Sequence, residues 1–248
     1  MTRVEEIAES LLAAHRRRQP FVAEVAAAPA TAADAYAVQD AVRRALYPGR
    51  RADTWKVGAP RADAEPIAAP VFRAVDSPAT WSETPIVERT IEAELAFVLA
   101  RDIAPGEAAT VPLDEAFDFV CATIEICDAR LSNHHDVAPM WKLADAQVNA
   151  GLVVGSGIPY DAIDDYTAVR CEVRIDDRPA FDGTGTHALG DPRVLLRWWL
   201  QHVAARDRLV AGDLVTTGTW CGMIAVPAGA TVTVQMHGIG EARVAFDG

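Results

Sequence analysis

Two stretches constrain this chain more than any others: Ile91-Glu92-Ala93-Glu94-Leu95-Ala96-Phe97-Val98-Leu99 and, further on, Phe119-Val120-Cys121-Ala122-Thr123-Ile124-Glu125-Ile126-Cys127. Both have strand length and are almost wholly apolar, which predicts mostly buried strands. Yet they carry three glutamates. Alternate residues of a strand share a face, so Glu92 and Glu94 point the same way, in line with Ala96 and Val98. Ile91, Leu95, Phe97 and Leu99 lie on the opposite, apolar side. Two unpaired carboxylates buried side by side would each cost several kcal/mol. Either the pair wets a solvent edge or something cationic lies between its members. A hard divalent ion such as Mg²⁺ is the simplest answer, because it takes carboxylate oxygens and keeps water positions free for a substrate. Glu125, alone in its apolar run, would complete a three-oxygen site. Its alternative is a structural pair with Arg130, as is an Arg130–Asp128 pair.

Composition narrows the partners. Lys plus Arg is 23 against 35 Asp plus Glu, a net charge of −12, so nucleic acid and anionic membrane are excluded as expected partners. Half the residues are hydrophobic, enough for a core and too many for global disorder. No apolar run approaches the roughly 20 residues of a membrane span. The start, Met1 to Glu6, lacks the apolar segment of a signal peptide, so a cytoplasmic location is expected. Cys121, Cys127, Cys171 and Cys221 form no C-x-x-C pair and read as reduced, mostly buried thiols. Only two of the basic residues are lysines, Lys56 and Lys142, each directly after a tryptophan. A chain that writes Arg almost everywhere but keeps Lys twice marks both as candidates, since a compact, titratable ammonium differs from a guanidinium.

Helical spacing of Val4, Ile7, Leu11 and Ala14 predicts a helix over 3–18. A second is predicted from about 32 to 46, with Thr31 and Asp34 as a capping box and Pro48-Gly49 as the stop. From residue 54 the pattern turns to short strands, at 54–58, 91–100, 119–127, 152–155, 169–175, 214–218, 232–236 and 243–246. One helix interrupts at 194–205, led by Asp191 and Pro192 and carrying Trp198 and Trp199. The strands do not alternate with helices. The expectation is therefore an α+β protein: a helical lead-in over 1–53 and a rolled, mixed sheet over 54–248.

Lys56 sits in Thr54-Trp55-Lys56-Val57-Gly58, where burial beside a metal would depress its pKa and suit it to proton transfer or carboxylate binding. T-W-K-V-G, I-E-A-E-L-A-F-V-L, A-T-I-E-I-C-D-A-R and L-A-D-A-Q-V-N-A-G-L-V-V-G together resemble the hydratase/decarboxylase branch of the fumarylacetoacetate hydrolase superfamily. The resemblance extends over nearly the whole chain, from D-A-Y-A-V-Q in the second helix to G-D-L-V-T-T-G-T near the end. It implies a helical N-terminal part followed by a mixed β-roll, Mg²⁺ or Mn²⁺ held by Glu92, Glu94 and Glu125, and Lys56 as the active-site lysine. It further implies Gly58, Lys142 and Asp145 as substrate-binding residues. The chain departs from the family pattern at Ala59, Arg73 and Ala146.

The leading expectation is a metal-dependent hydro-lyase of the 2-keto-4-pentenoate hydratase kind, acting on a small 2-hydroxydienoate or 2-oxoalkenoate. The metal would grip the 2-oxo group and the C1 carboxylate and stabilise an enolate. The same enolate would serve a 4-oxalocrotonate-type decarboxylase. An acylpyruvate-type C–C hydrolase would need a base, for which His134 or His135 in a polar loop is the candidate. A non-enzymatic subunit, partnering an active enzyme, is the remaining alternative. Gly183-Thr-Gly185-Thr-His187-Ala188 imitates a dinucleotide fingerprint but lacks the following strand. Gly218–Gly222 reads as a pocket-lining loop or a plain turn. The apolar, Trp-bearing helix and the strand edges predict a homo-oligomer.

Overall fold

The computed structural model describes residues 2–248; Met1 lies outside them. Two N-terminal helices come first, α1 (Arg3–Arg17) and α2 (Ala32–Leu46). Each starts on a reciprocal capping box, Thr2 with Glu5 and Thr31 with Asp34, so the predicted Asp variant of the motif forms as written. There follow β1 (Thr54–Gly58), β2 (Ile67–Pro70), β3 (Ala74–Asp76), β4 (Ala79–Trp81) and β5 (Thr90–Leu99). Next come α3 (Leu113–Ala116), β6 (Phe117–Cys127), α4 (Pro139–Ala144) and β7 (Asn149–Pro159). The rest is β8 (Arg170–Ile175), β9 (Arg178–Thr184), α5 (Leu196–Ala204), β10 (Leu214–Thr219), β11 (Ile224–Ala225), β12 (Thr231–Met236) and β13 (Gly240–Phe246).

The strands form two sheets. The larger runs β2-β1-β10-β5-β6-β7-β3, with β11 also pairing β5; the smaller runs β4-β13-β12-β8-β9. Three parallel pairings, β1 with β10, β3 with β7 and β4 with β13, sit among antiparallel neighbours, so both sheets are mixed. This is the rolled α+β architecture expected. Several elements differ from expectation. Residues 152–155 are the centre of the longer strand β7, the late helix begins as a 3₁₀ turn at Pro192–Leu195 capped by Asp191, and β2, β3, β4, β9 and β11 were not foreseen. The fingerprint at 183–188 falls at the end of β9, antiparallel to β8, so it opens no parallel βα unit.

Each face of β5 has its own surroundings. Ile91, Ala93, Leu95, Phe97 and Leu99 enter the main core with Val120, Ala122, Ile124 and Ile126 of β6, Val232 and Val234 of β12, and Trp199 of α5. At about 1.5–3 kcal/mol for each fully buried large side chain, this face outweighs the cost of carboxylates on the other. The sheets touch where β7 crosses β13. A Cβ on Gly155 would lie 2.2 Å from the Glu241 carbonyl oxygen, and one on Gly240 would lie 2.0 Å from that of Ser156. The helices α1 and α2 bury Ile7, Leu11, Ala35 and Val38 in a second cluster with Leu131 and with Trp141 and Leu143 of α4.

Candidate active site

The register of four adjacent strands lines up the acidic and basic groups. Lys56 of β1 lies opposite Thr216 of β10, Thr219 of β10 opposite Glu94 of β5, and Glu92 of β5 opposite Glu125 of β6. The register of β10 slips between Thr216 and Thr219, and Gly218 there takes φ 100°, a conformation glycine adopts at little cost. The slip lets the Gly218 amide donate to Glu94 Oε2 at 3.1 Å, beside the Thr216 hydroxyl, which donates to the same oxygen. Lys56 Nζ is ion-paired with Glu125 Oε1 and donates to the Gln147 carbonyl at 3.3 Å. Asn149 Nδ2 also donates to Glu125 Oε1, at 2.9 Å, whereas Glu125 Oε2 is buried without a hydrogen-bond partner.

Lys56, Glu92 and Glu94 line a cleft of about 310 Å³, with Glu125 fully buried beside them. One wall is apolar: Gly58, Ala59, Pro60 and Ile67. The other carries Gln147, His187, Ala188 and the Thr217–Thr219 backbone. Lys56 is the only Lys or Arg lining it among the described residues. His187 is no free base. Its Nε2 is 2.9 Å from the Thr217 carbonyl and its Nδ1 accepts from the Leu189 amide, which assigns the proton to Nε2. Burial lowers its pKa and keeps the ring neutral.

Electrostatics single out this cluster. Burial, then the charges of Glu125 and Glu92, push Glu94 up to about 8. Glu92 is raised by burial and by Glu125. Burial would depress Lys56, as expected from sequence, but the charges of Glu125, Cys127, Glu92 and Glu94 outweigh it and raise the lysine above its ordinary value. Lys56 in this acidic field is therefore a persistent cation, and the expected depression is not found. Three carboxylates crowded around one ammonium leave an excess of negative charge, and a divalent cation would neutralise it. The donor set fits such an ion: hard carboxylate oxygens, one of them buried and unpaired. The Cys127 thiol joins the group, its Sγ 3.7 Å from Glu92 Oε2, and the ligand atoms of Glu92, Glu125 and Cys127 lie within 4.8 Å of one another.

Other expected site residues lie elsewhere. Asp145 is buried in an ion pair with Arg130, accepts also from the Arg130 amide at 2.9 Å, and does not line the cleft. Arg130 thus pairs with neither Glu125 nor Asp128, whose carboxylate instead accepts from the Ile86 and Val87 amides. Lys142 is half-buried on α4, outside the cleft lining. His134 and His135 face Glu88, at 2.8 and 3.4 Å, and so supply no base to the cleft. Arg73 pairs with Glu83 and stacks on Trp81, its guanidinium carbon 3.8 Å from the ring centroid.

Gln147 had no sequence signal. Ala146, Gln147 and Val148 all take positive φ (49°, 56° and 57°), a left-handed turn costing about 1–2 kcal/mol per residue. The Val148 amide donates to the Asp145 carbonyl and the Val148 carbonyl accepts from Asp128, which holds the turn against that cost. Gln147 lines the cleft with its Nε2 buried and unpartnered. Thr216 was legible only as part of a strand, since its role depends on the slip that follows it.

Residues 47–246 match the family described as Fumarylacetoacetate (FAA) hydrolase C-terminal. A 2-keto-4-pentenoate hydratase of Paraburkholderia phymatum is 32% identical over 65% of this chain and 62% of its own length. One from Paraburkholderia xenovorans is 26% identical over 98% of this chain and 94% of its own. In several such pairings the chain spans only 61% or 62% of the curated relative it matches. Among solved structures, the 4-oxalocrotonate decarboxylase of Pseudomonas putida G7, complexed with magnesium and adipate, superposes with a TM-score of 0.82. That match covers 99% of this chain and 98% of the other at 22% identity, and it speaks to the fold.

Proposed function

This chain belongs to the fumarylacetoacetate hydrolase family, and from that premise we propose that it is a divalent-metal-dependent hydro-lyase, adding water to a small 2-hydroxydienoate or 2-oxoalkenoate. The observation that carries the reading is the Lys56–Glu125–Glu92–Glu94 constellation on β1, β5 and β6 of one sheet, with Lys56, Glu92 and Glu94 lining one cleft and Glu125 buried against Lys56. Glu92, Glu94 and Glu125 would hold the ion, Mg²⁺ or Mn²⁺, whose contribution is to polarise the substrate's 2-oxo and carboxylate oxygens. Lys56, kept protonated by its acidic neighbours, binds the C1 carboxylate. Thr216 and the Gly218 amide hold Glu94 by one oxygen and leave the other to ligate.

The apolar wall formed by Ala59, Pro60 and Ile67 suits an uncharged hydrocarbon tail, and among the described residues no second Lys or Arg lines the cleft to receive a distal carboxylate. That favours a monocarboxylate and hydration over decarboxylation of a dicarboxylate. The hydrolase alternative lacks its base at the cleft. The four free cysteines suit a cytoplasmic protein, and among the described residues no helix is long and apolar enough to cross a membrane. The exposed side chains of Val22, Val25 and Val194 support a homo-oligomer, with 1–53 as lead-in and 54–248 as the catalytic part.

The test is titration of the metal-stripped protein with Mg²⁺ or Mn²⁺ while the ultraviolet absorbance of 2-hydroxypenta-2,4-dienoate is followed. Metal-dependent decay that disappears in Glu125→Gln is expected. Metal binding without decay would overturn the hydratase assignment, and absence of binding would overturn the site.

A further inference from the structure

His134, His135 and Glu88 form a group that the cleft does not use. His134 Nε2 lies 2.8 Å and His135 Nε2 3.4 Å from Glu88 Oε1, and the imidazole centroids are 3.9 Å apart. The approach of His134 to Glu88 lacks hydrogen-bond alignment, so His134 Nε2 and Glu88 Oε1 are both buried without a partner. His134 is 4% exposed, yet its unpaired nitrogen points into this group. From these observations we propose a second metal site, separate from the cleft: a His₂Glu centre for a borderline transition cation of the Zn²⁺ class, with one position open to water.

The ligand chemistry selects the ion. Two imidazoles and one carboxylate suit Zn²⁺, and an imidazole pair is a poor home for Mg²⁺. Ligand atoms about 2.05 Å from a tetrahedral Zn²⁺ sit about 3.3 Å from one another. The two separations to Glu88 Oε1, 2.8 and 3.4 Å, bracket that value, and all three ligand atoms fall within 4.8 Å of one another. The backbone is built for it on both sides. The Glu88 and Val87 amides donate to Asp128 Oδ1, which fixes the approach to β5. The loop ahead of His134 is fixed by Asn133, whose side-chain amide exchanges two hydrogen bonds of 2.9 Å with the Ala23 backbone. Burial, then the neighbouring His135 and Lys142, lower the pKa of His134 against the opposing pull of Glu88, so its lone pair is free. His135, 70% exposed at its side chain, leaves a way in from solvent. A bound ion would tie the loop that clamps the N-terminal segment to the strand that carries Glu92 and Glu94.

The test uses the tag-free full chain, stripped of metal and saturated with Mg²⁺, titrated with Zn²⁺ against a chromophoric chelator. One Zn²⁺ equivalent that Mg²⁺ does not displace is expected, together with a rise in thermal midpoint. His135→Ala alters an exposed side chain and should leave the fold intact while weakening this equivalent tenfold or more, as should Glu88→Gln. Glu125→Gln should retain it, which separates this site from the cleft. Unchanged Zn²⁺ affinity in both His135→Ala and Glu88→Gln, or loss of the equivalent in Glu125→Gln, would overturn the proposal.

Discussion

At the scale of single residues, Glu94 shows the cost of this site. It is 1% exposed, beside two other carboxylates, and its carboxyl ionises at about 8 instead of 4.5. Without metal, the unfolded chain releases this proton near 4.5 while the folded chain holds it until about 8. The folded state therefore binds more protons across that window, and its stability falls as pH rises through it. Thermal midpoints of chelator-treated protein should drop between pH 5 and pH 8 more steeply than those of Glu94→Gln. Added Mg²⁺ should raise the midpoint more at pH 8, because metal binds the ionised form. Parallel pH profiles for wild type and Glu94→Gln would refute this. Glu92, Glu94 and Glu125 were legible in the sequence because a carboxylate in an apolar strand needs a counter-charge. Gln147 was not, since a left-handed turn of Ala, Gln and Val is held by backbone bonds from Val148 to Asp145 and from Asp128 to Val148 and not by local preference. His134 and His135 were legible as chemistry but not as place, because nothing in a loop's sequence says which way it folds back.

At the scale of elements, α1 has its own pH response. Burial, then the charges of Arg130 and Arg18, push His15 down to about 3. It is neutral in the fold, while the unfolded chain takes up a proton below 6.5. Its contribution is complete above 6.5 and is lost as the pH falls from there toward 3. Acidification should loosen α1 from its cluster, which holds Trp141 edge-on to Phe21 at 6.0 Å. Trp fluorescence should report a transition in that window, and His15→Gln should shift it to lower pH; an unmoved transition would assign it elsewhere. The capped helices and long strands were readable because periodicity and capping act within a few residues. The strands β3, β4 and β11, two or three residues long, are too short for a period and owe their existence to neighbours distant in sequence.

At the scale of the whole molecule, two sheets are held in close contact by missing side chains. Gly155→Ala would drive a methyl group to 2.2 Å from the Glu241 oxygen and 2.8 Å from that of Ala122. It should cost about 1–3 kcal/mol, the range for overpacking a filled interior, read as a lowered urea midpoint. A neutral result would mean that the sheets part freely. A rolled mixed sheet could be anticipated from strands that do not alternate with helices. The pairing of β1 with β10 could not, because it joins Thr54 to Leu214 across most of the chain. That pairing divides the cleft into two kinds of position. The floor sits on central strands, where Lys56, Glu94 and Glu125 are locked by register and by one another. The rim at Ala59 and Pro60 lies just past the end of β1, and Ala188 just past β9. Drift at the rim leaves the floor intact, so the shape of the cleft mouth can change from one descendant of this chain to the next while the charged floor is inherited unchanged.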